Sequence, residues 1–299
     1  MAIENFGEAF ALVCAIIWAS AIVLYKHVGE SMSANTLNLV KNLLGLSLLL
    51  PTALLFEGLN LPLLTTSEWL ILAVSGYAGI AVADTFYFQA LRNLGAGRTA
   101  IVGSLYSPFV VILSIIFLGE SLAMWQWLGF VMVLAGILVV VYQRRYQSVD
   151  HAALIKGIAF AAAAVFLTAS GVVAMKPILA NTGFFWIVSL RMLAGVVGMF
   201  IFLSLRGQLS STYHVIAKGE HRWGYIVLAS VAGSYLAMLL WLGGFKYADA
   251  SVASVLNESS NVFIVIMAWL FLKEEFSMRK IVGVSLAFAG ILVFLGVVG

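Results

Sequence analysis

The chain of 299 residues is 63% hydrophobic and only 10% charged, with a formal net charge of +3 and a mean hydropathy of +1.07. A soluble domain carries roughly 25% charged residues, so too few polar residues are present to cover a soluble core of this size. The composition therefore excludes a soluble globular protein and predicts an integral membrane protein. The single cysteine, Cys14, excludes an intrachain disulfide and is expected to be a small packing residue.

Apolar runs of the length that crosses a bilayer, about 20 residues, recur along the whole sequence. The predicted spans are 8–26, 35–56, 69–91, 98–118, 123–142, 153–176, 184–205, 223–245, 250–272 and 278–298. The longest polar stretch, 206–222, is predicted to be a loop. The predicted fold class is thus an all-α integral membrane protein with ten transmembrane helices.

The two halves of the sequence repeat each other. The segment Ala-Gly-Ile-Leu-Val occurs at 135–139 and 289–293, within a gap-free alignment of 69–142 with 223–296. The informative pairs in this alignment are Trp69 with Trp223, Gly79 with Gly233, Glu120 with Glu274, and Gly129 with Gly283. A second alignment, of 7–45 with 157–195, pairs Ser20 with Ser170, Lys26 with Lys176, and Lys41 with Arg191.

The repeat predicts two halves, 1–150 and 151–299, with five helices each. Because five is odd, the second half enters the membrane in the opposite sense to the first. Such inverted-topology repeats are typical of secondary transporters.

Several motifs also carry a resemblance to a known family. They are Ile-Trp-Ala-Ser (17–20), the segment 86–98 between the third and fourth spans, and Phe-Leu-Gly-Glu-Ser-Leu (117–122) with Gly129 and Gly136 after it. With these motifs the sequence resembles the EamA-type family of the drug/metabolite transporter superfamily. The second half keeps Phe-Leu-Lys-Glu-Glu, but Lys273 replaces the glycine.

The resemblance implies a multi-pass transporter of a bacterial inner membrane. Members of the family carry amino acids, other metabolites, sugar derivatives or drugs. The expected partners are the lipid bilayer and a small-molecule substrate, with possible proton coupling, and neither a cofactor nor a nucleic acid is expected.

The basic residues predict the orientation in the membrane. Basic residues that the repeat pairs are set aside, because inverted halves place them on opposite sides of the membrane. Ten basic residues remain: Arg98, Arg144, Arg145, Lys156, Arg206, Lys218, Arg222, Lys273, Arg279 and Lys280. With ten spans, all of them lie on the side opposite both termini. Because positively charged short loops stay cytoplasmic, both termini are predicted to lie outside.

Four ionisable residues stand inside predicted spans: Lys41, Asp84, Arg191 and Glu258. Each costs at least ~2.5–3.5 kcal/mol near a helix centre, so they should face the interior of the bundle. The paired cations Lys41 and Arg191 are either snorkelling side chains or anchors for a substrate carboxylate. The repeat aligns Asp84 with Met238, so the two halves do not share this acid. Asp84 is then either a proton site or the partner of Lys41 in a salt bridge.

Glu258 stands in Asn-Glu-Ser-Ser-Asn (257–261), a polar run inside an apolar span. The paired stretch, 103–108, contains Tyr106 and ends at Pro108, which is predicted to kink its span. Matching polar or broken segments in inverted halves indicate a binding site, which would include Glu258, Asn257 and Tyr106. The alternative is hydrogen bonding between helices by small polar residues.

Other side chains complete the predicted site. Trp18, Tyr87 and Trp241 are candidate walls of a substrate cavity, although aromatic residues inside spans are also common packing residues. Glu258 is the first candidate for proton coupling and Asp84 the second. Glu120 and Glu274, at the entrances of the fifth and tenth spans, are interpreted as structural residues that favour the positive helix start.

These features predict a secondary transporter that exports amino acids or similar metabolites, because cations and an acid in one site suit a zwitterion. A multidrug exporter of cationic compounds is the alternative. An intramembrane enzyme is not expected, since no metal-ligand spacing or phosphate-binding loop is present and the four histidines lie outside the spans.

Overall fold

A computed structural model describes residues 5–28, 32–94, 99, 102–141, 151–218, 222–272 and 278–296, and these contain helices and no strand. In chain order the helices are α1 (Asn5–Val28), α2 (Ala34–Glu57), α3 (66–94), α4 (Tyr106–Leu118), α5 (Met124–Val141), α6 (His151–Asn181), α7 (Phe184–Leu205), α8 (Leu209–Ala217), α9 (223–247), α10 (250–272) and α11 (Met278–Phe294).

Seven of these helices are long and apolar enough to cross a membrane, namely α1, α2, α3, α6, α7, α9 and α10. Shorter apolar helices occupy Tyr106–Leu118 and Met124–Val139. Every predicted span coincides with helix in the described residues. The prediction of a loop over 206–222 is wrong, because α8 lies within it. This helix forms because Val215 and Ile216 pack on a buried cluster that includes Val40 and Ile226.

Two of the long helices are not α-helical throughout. Helix α3 consists of Thr66–Gly76, a π-helical segment Tyr77–Val82, and Ala83–Leu94, and α9 consists of Trp223–Ser230, a π-helical segment Val231–Ala237, and Met238–Tyr247. The π-helical segments begin at positions that the sequence alignment pairs. A π-helical turn widens the helix and often marks a functional site.

The predicted spans 98–118 and 250–272 each contain a turn near their middle. Helix α10 runs from Ala250–Glu258 to Ser260–Leu272 with a turn at Ser259 between them, and a turn at 104–105 precedes α4. The break near Pro108 therefore falls before the proline and not at it. Pro108 lies in the first turn of α4, where its missing N–H removes no helical hydrogen bond.

Helices α5 and α11 cross at close range through their glycines. A Cβ at Gly136 would stand 2.6 Å from the backbone N of Ala287, and one at Gly290 would stand 2.7 Å from the backbone N of Val133. Small residues allow such close packing of helices in a membrane. The repeated Ala-Gly-Ile-Leu-Val segments therefore lie on the two helices of this crossing.

Candidate functional site

A cavity of about 380 Å³ opens among α1, α2, α3, α4, α6, α7, α9 and α10. All nine residues predicted from the sequence as binding or coupling groups line it: Trp18, Lys41, Asp84, Tyr87, Tyr106, Arg191, Trp241, Asn257 and Glu258. They come from seven helices, so the tertiary fold brings together side chains that are distant in the sequence.

The π-helical segments and helix breaks supply much of the cavity wall. Gly79 and Ile80 come from the first π-helical segment, and Gly233 and Ser234 come from the second. The carbonyl oxygen of Ile80 accepts a hydrogen bond of 3.4 Å from Nδ2 of Asn38. Irregular backbone thus lies where it lines a polar cavity, which is where a membrane protein tolerates it.

Lys41 and Asp84 form an ion pair across the cavity wall. The distance from Lys41 Nζ to Asp84 Oδ2 is 3.4 Å, and Lys41 Nζ also donates to Asn42 Oδ1 at 3.2 Å. Their side chains are 15% and 33% exposed, respectively. Of the two interpretations of Asp84, the structure shows the salt bridge.

Arg191 has a different environment, although the repeat pairs it with Lys41. Its residue is only 2% exposed. The guanidinium carbon lies 5.0 Å from the ring centroid of Trp241, and Nη1 lies 3.9 Å from the sulfur of Met238. Nε makes no hydrogen bond to any described residue. The charge of Arg191 is therefore covered by an aromatic ring and a thioether instead of an acid.

Glu258 ends the first part of α10 and is 5% exposed. Its Oε2 accepts a hydrogen bond of 2.8 Å from Asn261 Nδ2, which reaches back across the turn at Ser259. The backbone amide of Ser107, in the first turn of α4, also faces this carboxylate. The start of a helix favours negative charge, so both helix breaks contribute to the environment of Glu258.

The remaining predicted residues serve as walls of the cavity. The amide of Asn257 is tied to its own helix by a 2.9 Å hydrogen bond to the carbonyl of Ala253. Trp18 and Tyr87 are 37% and 38% exposed, respectively. The buried hydroxyl of Tyr106 faces the indole of Trp241 and donates no hydrogen bond to a described residue. An aromatic wall with one unsatisfied hydroxyl is suited to a compound that has a flat part and a polar part.

Several lining residues were not predicted from the sequence, among them Asn42, Thr168 and Ser234. Single polar residues in apolar spans give no signal that separates cavity walls from helix packing. The paired Gly79 and Gly233 lie within the two π-helical segments. Cys14, predicted as a packing residue, is buried but also lines the cavity.

A charged cluster lies beyond the cavity, where α6 and α9 end and α10 begins. Glu120 Oε1 accepts hydrogen bonds of 2.7 Å from Lys176 Nζ and of 2.7 Å from the backbone N of Ala250. Its Oε2 accepts from the backbone N and the hydroxyl of Ser251 at 2.9 and 2.7 Å. Although partial burial opposes it, the hydrogen bonds from Lys176, Ser251 and Ala250 hold the pKa of Glu120 below its ordinary value. Glu120 thus caps α10 and not α5, the helix that follows it in the sequence.

Some predicted features lie outside the described residues. They are the basic residues Arg98, Arg144, Arg145 and Lys273, and the second acidic residue of the repeat, Glu274.

Comparison with known proteins identifies a family. The profile of the EamA-like transporter family matches residues 5–142 and again residues 155–296. An uncharacterized transporter from Archaeoglobus fulgidus is 23% identical over 288 residues, which cover 95% of this chain and 96% of that protein. Protein PecM from Dickeya dadantii is 28% identical over 245 residues, which cover 80% of this chain and 77% of PecM.

A chain from a solved crystal structure superposes on this one with a TM-score of 0.79, over 96% of this chain and 94% of that chain. The two are 18% identical in sequence, so this similarity shows the shared fold alone.

Proposed function

Because this chain belongs to the EamA-like transporter family, we propose that it is a secondary active transporter that exports amino acids or related small metabolites across a bacterial inner membrane. Membership makes it a multi-pass membrane transporter of small molecules. The substrate class, the direction and the membrane belong to the proposal.

The observation that carries the substrate class is the charge distribution in the cavity. Arg191 supplies a positive charge that forms no ion pair with a described acid, and Glu258 supplies an acid held by an amide. Tyr106 is an electrostatic neighbour of both. An amino acid carries both a carboxylate and an ammonium group, and a cavity that offers one group of each sign suits such a zwitterion.

The proposed architecture is ten transmembrane helices in two inverted five-helix halves, 1–150 and 151–299, that alternate access to the cavity. The family profile matches once within each of these ranges. The π-helical segments at Tyr77 and Val231 begin at paired positions, and so do the breaks at 105 and 259. Repeats of this kind support alternating access by movement of one half against the other.

Glu258 and, second to it, Asp84 are the proposed coupling residues. A carboxylate that loses water in a closed cavity becomes stable by binding a proton or a cationic group. If a proton replaces the ammonium group of the substrate at Glu258, the entry of the proton is coupled to the export of that substrate. Asp84 ranks second because Lys41 already neutralises it.

A multidrug exporter of cationic compounds remains the second candidate. The observation in its favour is the aromatic wall of Trp18, Tyr87, Tyr106 and Trp241 around an acid, since cations bind well to aromatic faces. The buried guanidinium of Arg191 weighs against it, because a second cation nearby would be repelled.

Flux in proteoliposomes tests the choice between the two. We expect efflux of labelled amino acids driven by an inward proton gradient, and no efflux of a quaternary ammonium dye. The opposite pattern would favour the multidrug alternative, and flux of neither would refute both.

Double electron–electron resonance tests alternating access. Distances between spin labels on loops of the two halves should change reciprocally at the two membrane faces, and unchanged distances with substrate would contradict alternating access.

A further inference from the structure

Arg191 carries a buried positive charge that forms no ion pair with an acid in the described part of the chain, although Asp84 acts on it electrostatically. A buried cation is unfavourable unless it is paired and hydrogen-bonded. Nε of Arg191 has no hydrogen bond to a described residue. The guanidinium contacts the sulfur of Met238 and the indole ring of Trp241, but neither group carries a negative charge. The buried hydroxyl of Tyr106, an electrostatic neighbour of Arg191, faces the indole of Trp241 but donates no hydrogen bond to a described residue.

We infer that Arg191 and Tyr106 form a subsite for the carboxylate group of the transported compound. This deepens the proposed transport function and rests on it. A guanidinium presents N–H groups in a planar fork that fits the two oxygens of a carboxylate. Tyr106 adds a hydroxyl donor, and Trp241 holds the guanidinium by covering its face.

Lys41 does not share this role, although the repeat makes it the counterpart of Arg191. Its ammonium group is already hydrogen-bonded to Asp84 and Asn42. A carboxylate that approached Lys41 would have to displace Asp84 or be repelled by it. The two paired cations have therefore separate functions: Arg191 binds the substrate anion, and Lys41 holds Asp84.

Glu258 does not supply the missing anion either. Its carboxylate lies with Asn261 and the amide of Ser107 and forms no ion pair with Arg191. Asp84 acts on the charge of Arg191 but forms its ion pair with Lys41. A bound molecule is therefore the partner that we assign to the guanidinium.

Gly79 in the π-helical segment gives the guanidinium its space. A Cβ on this residue would lie 3.0 Å from Nη2 of Arg191, closer than ordinary contact. A methyl group there would push the guanidinium aside without removing its charge. Gly103 also lines the cavity, but a Cβ on it would meet no atom within 4 Å. The pair Gly79→Ala and Gly103→Ala therefore separates the position of the guanidinium from a general effect of added volume.

The test is calorimetric titration of the purified full-length protein in detergent with benzoate and with benzamide. These probes have the same planar shape, and only benzoate carries the carboxylate. We expect benzoate to bind the wild type and to lose about ten-fold or more in affinity in Arg191→Gln, since a hydrogen bond to a charged group is removed. Gly79→Ala should weaken benzoate binding as well, whereas Gly103→Ala should retain it. The double variant Lys41→Gln/Asp84→Asn, which removes the ion pair without leaving Asp84 charged, should also retain it.

Three results would overturn the inference: no benzoate binding to the wild type, equal binding of benzamide, or equal losses in Arg191→Gln and in the double variant Lys41→Gln/Asp84→Asn. If Arg191→Gln does not fold, Gly79→Ala against Gly103→Ala decides the question. Equal affinity in these two glycine variants would refute the subsite. Benzoate binding without flux of any amino acid would retain the subsite and refute the proposed transport function, so the two can fail separately.

Discussion

Removal of the Glu120 carboxylate is predicted to destabilise the protein more than removal of any ordinary helix cap. Glu120 is 7% exposed and accepts four hydrogen bonds, from Lys176, Ala250 and Ser251. It therefore joins the loop after α4 to α6 and to the first turn of α10. In Glu120→Ala, the two backbone N–H groups at the start of α10 and the ammonium of Lys176 lose this partner together.

The magnitude follows from the contacts that remain. Breaking a buried ion pair by removing one partner costs ~3–5 kcal/mol. Lys176 keeps a hydrogen bond of 2.8 Å to the carbonyl of Ala248 and an ion pair of 3.9 Å with Asp249, which is 66% exposed. Because Lys176 is not left without partners, we expect the lower end, about 3 kcal/mol. For a chain of 299 residues, with an unfolding entropy of about 2.1 cal/mol/K per residue, that corresponds to a fall of roughly 5 °C in the thermal midpoint.

Glu57 offers a matched control for the assay. It caps α7 in the same manner, accepting from the backbone N of Phe185 at 3.0 Å and of Trp186 at 2.9 Å, but no cation lies within ion-pair distance among the described residues. Thermal unfolding in detergent, followed by tryptophan fluorescence, should show a smaller fall for Glu57→Ala, since a cap contributes about 1 kcal/mol. Equal falls for the two variants would refute the reasoning.

The same cluster predicts a pH dependence with a definite sign. Because the pKa of Glu120 is lowered in the folded protein, its contribution to stability is present above the ordinary carboxyl pKa and is lost as the pH falls through the lowered value. The difference in midpoint between wild type and Glu120→Gln should thus be constant near neutral pH and should shrink below about pH 4.3. A difference that grows in acid would contradict the sign.

Three further predictions concern the cavity and the helix crossing. Glu258→Gln should fold and lose the pH dependence of transport between about pH 5.5 and 8.5, whereas Asp84→Asn should have the smaller effect. Proteoliposome flux measures both, and an unchanged profile in Glu258→Gln would remove that residue from coupling. Lys41→Gln should lower the thermal midpoint by leaving Asp84 unpaired, and the double variant with Asp84→Asn should recover much of the loss; strictly additive shifts would argue against the pair. Gly136→Leu should prevent the close crossing of α5 and α11 and abolish a monodisperse elution profile, whereas Gly103→Leu should elute normally.

The sequence by itself determined which segments are helices that belong in a membrane. Hydropathy and span length are sufficient for this, because a helix satisfies its own backbone hydrogen bonds and needs only an apolar exterior to lie in lipid. The sequence also determined the list of candidate site residues. Glu258 and Arg191 stand out because an ionisable group in an apolar run is costly and therefore rare. The repeat added the pairing of Lys41 with Arg191.

Only the tertiary structure decided what each candidate contacts. Lys41 meets Asp84 across 43 positions of the sequence, and Glu120 caps a helix that begins 130 positions later, so neither partner follows from local pattern. Repeat-paired residues also diverge: Lys41 forms an ion pair and Arg191 does not, because the repeat aligns Asp84 with a methionine, Met238. A thioether carries no charge that could pair with a guanidinium. This substitution matters for Arg191 only because the fold brings α7 and α9 together.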